Sequence, residues 1–342
     1  MLIIFKTVFY TLREEVFRMT FKICVVGCGW ITAAQHGPAL KLYESLHENT
    51  KVVACCDVIE ERAKEVAEQL DIPNYYTDME KMLDTEKPDV VCLNVTVAYT
   101  AELACKILEK GYPLIVEKPP GVNLQEANKM IEAAKGIPNR IAFNRRYMPL
   151  VQKAIEVVNG WGGTNCIMDI RYRMTRVMRN EPDFSTTAIH GIDVVKYIAD
   201  SDYKNVNFRY LEIEGHAPAA NYYLSGVMEN GIVVNLDFLP VSGIVTERLE
   251  INTHKGMIFI EMPMGVTHFD KLGRLIVFED GKETLTITGD EDAGAFVGGG
   301  FYKENADFFN DLRNNKQTSG DIASGLQSLE IANCISDRIM NY

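Results

Sequence analysis

Hydrophobic positions near the start of the chain form a short continuous run that is followed at once by glycines. Residues 23–26 are apolar and mostly β-branched, and Gly27 and Gly29 follow them one residue apart. A continuous apolar run bounded by glycine is typical of a buried strand. From Trp30 onward the pattern is that of a helix. We therefore predict a strand, a tight two-glycine turn and a helix, in that order.

The same alternation of buried strands and amphipathic helices continues to about residue 144. Apolar runs predict further strands at 51–56, 89–94, 113–116 and 140–143, and helical spacing predicts helices at 60–69, 100–110 and 123–135. Strands that alternate with helices form parallel sheets that are covered on both faces. We therefore predict an α/β domain with a doubly wound parallel sheet over residues 21–144.

Beyond residue 145 the pattern changes to extended segments that are joined by turn residues. Helices are predicted at 149–158 and 185–199, and a long strand is predicted at 164–174. Hairpin signals lie at Asn230-Gly231, at His254-Lys255-Gly256 and at Asp280-Gly281. Two helices, near 301–314 and 322–339, close the chain and can pack back on the first domain. We predict a second, α+β domain over residues 145–342 with a mostly antiparallel sheet.

The composition and net charge of the chain limit the kinds of partner that we expect it to bind. The 342 residues suffice for about two domains, and 47% hydrophobic with 24% charged residues is ordinary for a globular protein. No run of lysines or arginines offsets the formal net charge of −12, so we expect neither nucleic acid nor a membrane surface as a partner. Residues 1–20 lack a cleavage site and a spanning length. We interpret them as an N-terminal extension, with a surface-packed helix as the alternative.

The eight cysteines contain no Cys-x-x-Cys pair and no cluster at zinc spacing. Most of them lie in apolar, strand-like runs, which is typical of buried thiols in a reducing compartment. We therefore expect no metal site and a cytoplasmic location.

The two-glycine turn has the features of a phosphate-binding loop. Gly27 permits the turn, and Gly29 lets the backbone approach a pyrophosphate at a helix N-terminus. Thr32 stands where a third glycine belongs, and a turn that needs two glycines for backbone reasons alone is the alternative. Asp57, at the end of the second strand, is placed to bind the ribose hydroxyls of NAD. The nearby Arg62 leaves NADP as the alternative cofactor. The other interpretation of Asp57 is that it caps the helix that follows.

These features stand in an order that resembles a known family. Gly27-x-Gly29 is followed by Asp57, by Glu117-Lys118-Pro119, by residues 143–149 and by His190-x-x-Asp193. The order resembles the glucose–fructose oxidoreductase / inositol dehydrogenase / rhizopine catabolism (Gfo/Idh/MocA) family over roughly residues 21–342. The resemblance implies a Rossmann domain, a second domain with a large open sheet, a nicotinamide cofactor and oxidation of a carbinol on a sugar or cyclitol. It also implies a homodimer or homotetramer formed through that sheet.

The resemblance implies roles for individual residues. We expect Lys118 to stabilise alkoxide character as hydride leaves, and His190 to exchange the proton. The alternative for Lys118 is a solvated ion pair with Glu117 in a loop. The alternative for His190 is a structural role on its helix. The expected cofactor-binding residues are Gly27, Cys28, Gly29, Trp30, Ile31, Asp57, Asn94, Thr96, Glu117 and Lys118.

Thr186 departs from the family pattern, because an aspartate is typical four residues before the histidine. A threonine lacks the charge that raises the basicity of His190, but its hydroxyl can bond the substrate, and Asp183 can substitute if the loop bends inward. We take Lys118, His190 and Thr186 as the catalytic set. The arginines around the proposed site can bind a carboxylate or phosphate, or form surface ion pairs. The expected substrate-binding residues are Asn144, Arg145, Arg173 and Asp193.

Together these observations predict an NAD(P)-dependent oxidoreductase that acts on a CH–OH group of a sugar, cyclitol or related polyol. One alternative is a sensor or regulator that binds the dinucleotide and a sugar-like ligand without chemistry, which the loss of the aspartate at Thr186 favours. Another is an enzyme that uses NAD in an internal redox cycle, for elimination or glycosidic cleavage. The retained Lys118 favours catalysis over sensing.

Overall fold

The computed structural model describes residues 20–181, 183–264 and 271–342. The proposed N-terminal extension lies outside these residues, apart from Thr20. The first half of the described chain alternates strands and helices: β1 Phe21–Val26, α1 Gly37–Leu46, β2 Thr50–Cys56, α2 Glu60–Gln69, β3 Asn74–Tyr76, α3 Met79–Glu86, β4 Val90–Leu93, α4 Val97–Glu109, β5 Leu114–Glu117, α5 Leu124–Ala133 and β6 Asn139–Ala142.

The six strands form one parallel sheet in the order β3-β2-β1-β4-β5-β6. This is the strand order of the Rossmann fold, in which a dinucleotide binds where the order reverses, between β1 and β4. The four residues of β4 are all buried, as a strand with helices on both faces must be. The predicted doubly wound fold is confirmed.

The second half is built on a larger sheet. Its elements are α6 Pro149–Gly160, β7 Ile167–Thr175, α7 Ser185–Ala199, β8 Tyr203–Glu212, β9 Ala220–Met228, β10 Val233–Leu239, β11 Thr246–Thr253, β12 Gly256–Glu261, β13 Arg274–Glu279, β14 Lys282–Thr288, α8 Ala295–Gly298, α9 Phe301–Arg313 and α10 Leu326–Ser336. The eight strands run in the order β14-β13-β12-β11-β7-β10-β9-β8, and only the β7–β10 pair is parallel among these described strands. The mostly antiparallel sheet is therefore confirmed as well.

Three differences from the predicted elements have simple causes. The short edge strand β3 and the helix α3 after it carry too few apolar residues to stand out. Strand β8 was not predicted, because a register shift between Tyr203 and Asn205 breaks the alternation of buried and exposed residues along it. Residues 164–166, predicted as strand, form a 3₁₀ turn before β7.

Helix α9 packs against the dinucleotide-binding half rather than against the large sheet. Phe308 and Phe309 are fully buried in the same cluster as residues of β1, β2 and α1. The ring of Phe309 lies 5.2 Å from that of Tyr43 in α1, and the Tyr43 hydroxyl donates to Asn310 Oδ1 at 2.8 Å. The C-terminal part of the chain therefore completes the hydrophobic core of the N-terminal part.

We predict that Phe309→Ala lowers the free energy of unfolding by about 3–5 kcal/mol, because it leaves a cavity where α9 meets α1. Denaturation in urea measures the loss. The control is Tyr75→Ala, which removes an exposed ring and should cost about 0.5 kcal/mol or less. Equal losses in the two variants would contradict the packing role of Phe309.

Candidate active site

The glycine loop after β1 is tightly packed at one glycine and open at the other. Gly27 has φ = +94°, and a Cβ there would lie 2.2 Å from the carbonyl oxygen of Asn94. A Cβ at Gly29 would meet no atom within 4 Å. The loop thus approaches the end of β4 closely while its second glycine faces open space, as a phosphate-binding backbone requires.

Thr32 stabilises this loop instead of a third glycine. Its hydroxyl donates to the carbonyl of Gly27 at 2.6 Å and accepts from Asn94 Nδ2 at 3.1 Å. The chain is helical from Trp30, as predicted, but residues Thr32–His36 form a π-helical segment that the sequence pattern did not predict. Such segments often mark functional sites.

Asp57 lies at the end of β2 beside the loop. One carboxylate oxygen accepts from the Cys28 N–H at 2.8 Å and the other from the Ile59 N–H at 2.9 Å. A carboxylate oxygen can accept more than one hydrogen bond, so ribose hydroxyls can still bind here. Trp30 is 73% exposed next to the loop, and Thr96 is exposed at the start of α4.

Glu117 and Lys118 lie where β5 ends, and their charged groups are held by specific partners. Glu117 Oε1 lies 2.8 Å from His36 Nε2, and Oε2 accepts from the Lys118 N–H at 3.1 Å. Burial alone would raise the pKa of Glu117, but His36 and Lys118 hold it below its usual value. The Lys118 ammonium donates to the carbonyl of Thr186 at 3.2 Å. Burial lowers the pKa of Lys118, and Glu117 partly opposes that shift.

His36 is a site residue that the sequence analysis missed. It is 1% exposed, and its Nδ1 lies 3.3 Å from Asn305 Nδ2 in α9. Because an amide nitrogen can only donate, Nδ1 is the acceptor and the Nε2–H group points to Glu117. A signal was present: His36 precedes the buried Leu40 and Tyr43 at helical spacing, so a polar residue stands on the core-facing side of the helix.

His190 projects from α7 into the same region as Lys118. The imidazole is 7% exposed, and Nδ1 is buried without a hydrogen-bond partner among the described residues. Burial, and then the positive charges of Arg145, Lys118 and Arg176, hold the pKa of His190 well below its usual value. The ring is therefore neutral at pH 7 and can accept a proton.

Thr186 meets Lys118 through its backbone carbonyl. Thr186 also lines a separate pocket of about 90 Å³, together with Pro119, Asp183 and Ile189. The Asp183 carboxylate accepts the N–H of Ser185 at 2.8 Å, at the start of α7. Asp183 and Thr186 therefore border this smaller pocket, and neither lines the cavity that Lys118 and His190 share.

Two of the expected substrate-binding residues lie elsewhere. Asp193 is 1% exposed and is held by Arg146, at 2.6 and 2.7 Å, and by the Ser328 hydroxyl at 3.1 Å. Arg173 is exposed on the outer face of β7 and pairs with Asp237 at 3.0 Å. The Asp193 carboxylate therefore lies inside the protein and does not line the cavity that Lys118 and His190 share. Strand alternation turns Arg173 away from the covered face, so it does not line that cavity either.

Arg145 lies in the site, and its partner Glu247 was not predicted. Glu247, fully buried on β11, accepts from Arg145 Nη2 at 2.7 Å, from the Tyr172 hydroxyl at 2.6 Å and from Arg176. Burial would raise the pKa of Glu247, but the two guanidinium groups hold it far below its usual value. Asn144 accepts from Arg145 Nη1 at 3.0 Å and donates to the Gly299 carbonyl at 2.8 Å.

These residues surround one cavity of about 780 Å³ between the dinucleotide-binding half and the second half of the chain. Its walls include Trp30 and Ile31 from the glycine loop, Glu117 and Lys118 from the end of β5, Asn144 and Arg145, and His190. Ligands of open α/β sheets bind at the carboxyl ends of the strands, which is where this cavity lies.

Within the described ranges, no group of three or more His, Cys, Asp or Glu side chains is arranged to hold a metal ion. None of the described helices has the length and apolar character needed to cross a bilayer.

The strand order, the glycine loop and the cavity define a dinucleotide-binding protein that is built on two sheets. Residues 21–144 match the family profile described as "Oxidoreductase family, NAD-binding Rossmann fold", named Gfo/Idh/MocA. Residues 21–144 are therefore similar to the dinucleotide-binding part of this oxidoreductase family, as the motifs predicted, and this part of the chain is of the NAD-binding type.

Known relatives agree with this family. The chain is similar to the inositol 2-dehydrogenase of Salmonella typhimurium, with 27% identity over 199 residues, which are 55% of this chain and 57% of that protein. A dehydrogenase from Chromobacterium violaceum has the same fold at 17% identity, with a TM-score of 0.81 over 94% of this chain and 95% of that one. Levoglucosan dehydrogenase in complex with NADH has a TM-score of 0.78 at 18% identity over 93% and 96%. The chain spans about half the length of the curated relatives that it matches.

The residues present fit a bound NAD. The open space at Gly29 can take the pyrophosphate, and the Asp57 carboxylate keeps acceptor capacity for ribose hydroxyls. The negative charge of Asp57 would repel a 2′-phosphate and so favours NAD over NADP.

We predict that Gly29→Ala folds with unchanged stability but weakens NAD binding about tenfold or more, because the new methyl group occupies the space needed by the pyrophosphate. Fluorescence titration with NADH measures the affinity. Gly160→Ala, at another open glycine, is the control and should leave the affinity unchanged. Unchanged NADH affinity in Gly29→Ala would contradict this placement.

A second prediction concerns pH. Unfolded His190 gains a proton below about pH 6.5, whereas the folded state resists protonation, so this group lowers stability on acidification by about 1.4 kcal/mol per pH unit. We expect His190→Gln to lose less stability than the wild type between pH 7 and 5, as measured by urea denaturation.

The comparison of the two proteins isolates His190 from other titrating groups. Glu117 and Glu247 have lowered pKa values, so their stabilisation is lost only as the pH falls below about 4.5. Glu304 has a raised pKa and gives the opposite slope, but it is present in both proteins. Parallel stability curves between pH 7 and 5 would show that His190 titrates normally.

Proposed function

We propose that this protein is an NAD-dependent oxidoreductase that transfers a hydride between the cofactor and a carbinol or carbonyl carbon of a sugar, cyclitol or related polyol. The observation that carries the proposal is that Lys118 and His190 line one cavity with the residues that follow the glycine loop. A polarising cation and a neutral base beside a dinucleotide site are the groups that alcohol oxidation requires.

Residues of the first domain are proposed to hold the cofactor. Gly27, Cys28 and Gly29 provide the loop, Trp30 and Ile31 begin the helix, Asp57 binds the adenosine ribose, and Asn94, Thr96 and Glu117 border the remainder toward Lys118. Bound NAD supplies a nicotinamide ring that exchanges a hydride with the substrate carbon. Glu117, held by His36, has a fixed position from which to bind the second ribose.

Lys118 is proposed to bind the reacting oxygen. Its ammonium donates one hydrogen bond to the Thr186 carbonyl, which leaves two N–H groups for the substrate. A positive charge at this position favours the alkoxide character that develops during oxidation. The lowered pKa of Lys118 also makes its proton easier to transfer.

His190 is proposed to take the hydroxyl proton, because its depressed pKa keeps the imidazole neutral. Thr186 contributes through the carbonyl that orients Lys118. Asn144 and Arg145 are proposed to orient the substrate from the opposite wall. These roles need no carboxylate four residues before His190.

We predict that Lys118→Met lowers kcat by about 10²–10⁴-fold while NADH affinity changes little, since the ammonium acts on the reacting oxygen. His190→Gln should lower kcat by about 10²-fold or more in the oxidation direction. The measurement is NADH formation on a panel of sugars, polyols and cyclitols. Lys129→Met, at an exposed helix position, is the matched control.

Full turnover in Lys118→Met would exclude the proposed mechanism. Tight binding of NAD and a sugar-like ligand without any absorbance change would favour a sensor. Conversion of a substrate without net NADH would favour an internal redox cycle.

We further propose a homodimer or homotetramer that pairs through the open face of the eight-stranded sheet, and a cytoplasmic location. The outer face of β7 and β11 carries exposed side chains such as Arg171 and Arg248, with no layer of the described chain over it. All eight cysteines are free, which suits a reducing compartment. Light scattering on the purified protein tests the assembly.

A further inference from the structure

Positive charge is concentrated around the cavity of a protein that is negative overall. Four cationic side chains line the cavity, Lys118, Arg145, Lys153 and Lys271, against the two carboxylates of Glu117 and Asp290. The chain as a whole has a formal net charge of −12. The local reversal of sign makes the cavity a favourable place for an anion.

Part of this positive charge belongs to a buried cluster of arginines around Glu247. Two guanidinium groups, those of Arg145 and Arg176, share this one carboxylate, and the third donor, the Tyr172 hydroxyl, is neutral. Both arginines are 8% exposed, and Glu247 is fully buried. One positive charge of the cluster therefore has no carboxylate within it. An uncompensated buried charge is costly, which favours a ligand that supplies the missing negative charge.

Arg145 has the donors to hold such a ligand. A guanidinium has five N–H groups, and Arg145 uses three of them, two toward Glu247 and one toward Asn144. One N–H group remains on each of Nη1 and Nη2, and Arg145 lines the cavity that Lys118 and His190 share. Paired N–H groups on one guanidinium match the spacing of carboxylate or phosphate oxygens.

We propose that the substrate carries an anionic oxygen group, a carboxylate or a phosphate ester, that Arg145 binds while Lys118 and His190 act on a nearby carbinol. This inference rests on the proposed function. It narrows the substrate class from sugars and cyclitols in general to sugar acids or sugar phosphates. Glu247 is the positioning residue that fixes the Arg145 side chain through two hydrogen bonds.

The test is a calorimetric titration of the NADH-bound protein with matched ligands. Glucose and galactose are the neutral probes, glucuronate and galacturonate the carboxylates, and glucose 6-phosphate the phosphate ester. We expect at least one anionic ligand to bind about 10–100-fold more tightly than its neutral parent, as charge-assisted hydrogen bonds provide. The tighter class identifies whether the group is a carboxylate or a phosphate.

Substitutions locate the effect. Arg145→Gln should weaken binding of the anionic ligand about 10–100-fold more than binding of its neutral parent, and NADH affinity should stay unchanged. Arg145→Lys, which keeps the charge but loses the paired N–H groups, should retain part of the preference. Lys129→Gln removes an equal charge from an exposed helix position and should change nothing. If thermal melting shows that Arg145→Gln is unfolded, Arg145→Lys decides.

Neutral ligands that bind as tightly as the anionic ones would overturn the inference, and so would the absence of anion binding at millimolar concentration. An equal effect of Lys129→Gln would overturn it as well. Failure of the proposed function looks different. Anions that bind through Arg145 but give no redox change keep the anion site at Arg145 and reject the proposed oxidation, whereas Lys118-dependent oxidation of neutral sugars with anions ignored leaves only the proposed function standing.

Discussion

The carboxylate of Glu117 is a charge buried at the end of a parallel strand, and it is stable there because His36 and the N–H of Lys118 both donate to it. His36 is in turn oriented by Asn305 of α9. One hydrogen-bonded chain therefore connects the first helix, the fifth strand and a C-terminal helix. Glu117 and Lys118 are therefore tied, through His36, to a helix from the other end of the chain.

Two other buried carboxylates, Asp193 and Glu247, differ in how their charge is balanced and in what they contribute to the cavity. Asp193 is satisfied by Arg146 and Ser328 and has no acceptor capacity directed at a ligand. Glu247 is satisfied too, but its two arginine partners exceed it in charge. The first arrangement joins α7 to the interior, and the second gives one wall of the cavity its sign. Balanced pairs therefore build the scaffold, and the unbalanced cluster remains available for chemistry.

The sequence pattern predicted the fold because each βαβ unit repeats a local signal, and it predicted Gly27, Asp57 and Lys118 because each lies at a strand end. It did not separate Arg145 from Arg173, because the pattern does not show that Arg145 lies in a buried 3₁₀ turn whereas Arg173 lies on the exposed face of β7. Glu247 was missed because its importance depends on partners about 70 and 100 residues away in the chain. Asp193 was misplaced because helical spacing gives a face but not what covers that face.

The docking of α9 on α1 also has a consequence in time. Tyr43 and Asn310 form a hydrogen bond across 267 positions of the chain, and Phe308 and Phe309 fill the core between β1, β2 and α1. During synthesis at about 5–20 residues per second, α1 is made roughly 10–50 s before these rings. Until then the residues of α1 that these rings cover, such as Tyr43, lack that part of their packing, even after every strand of the first sheet has been made.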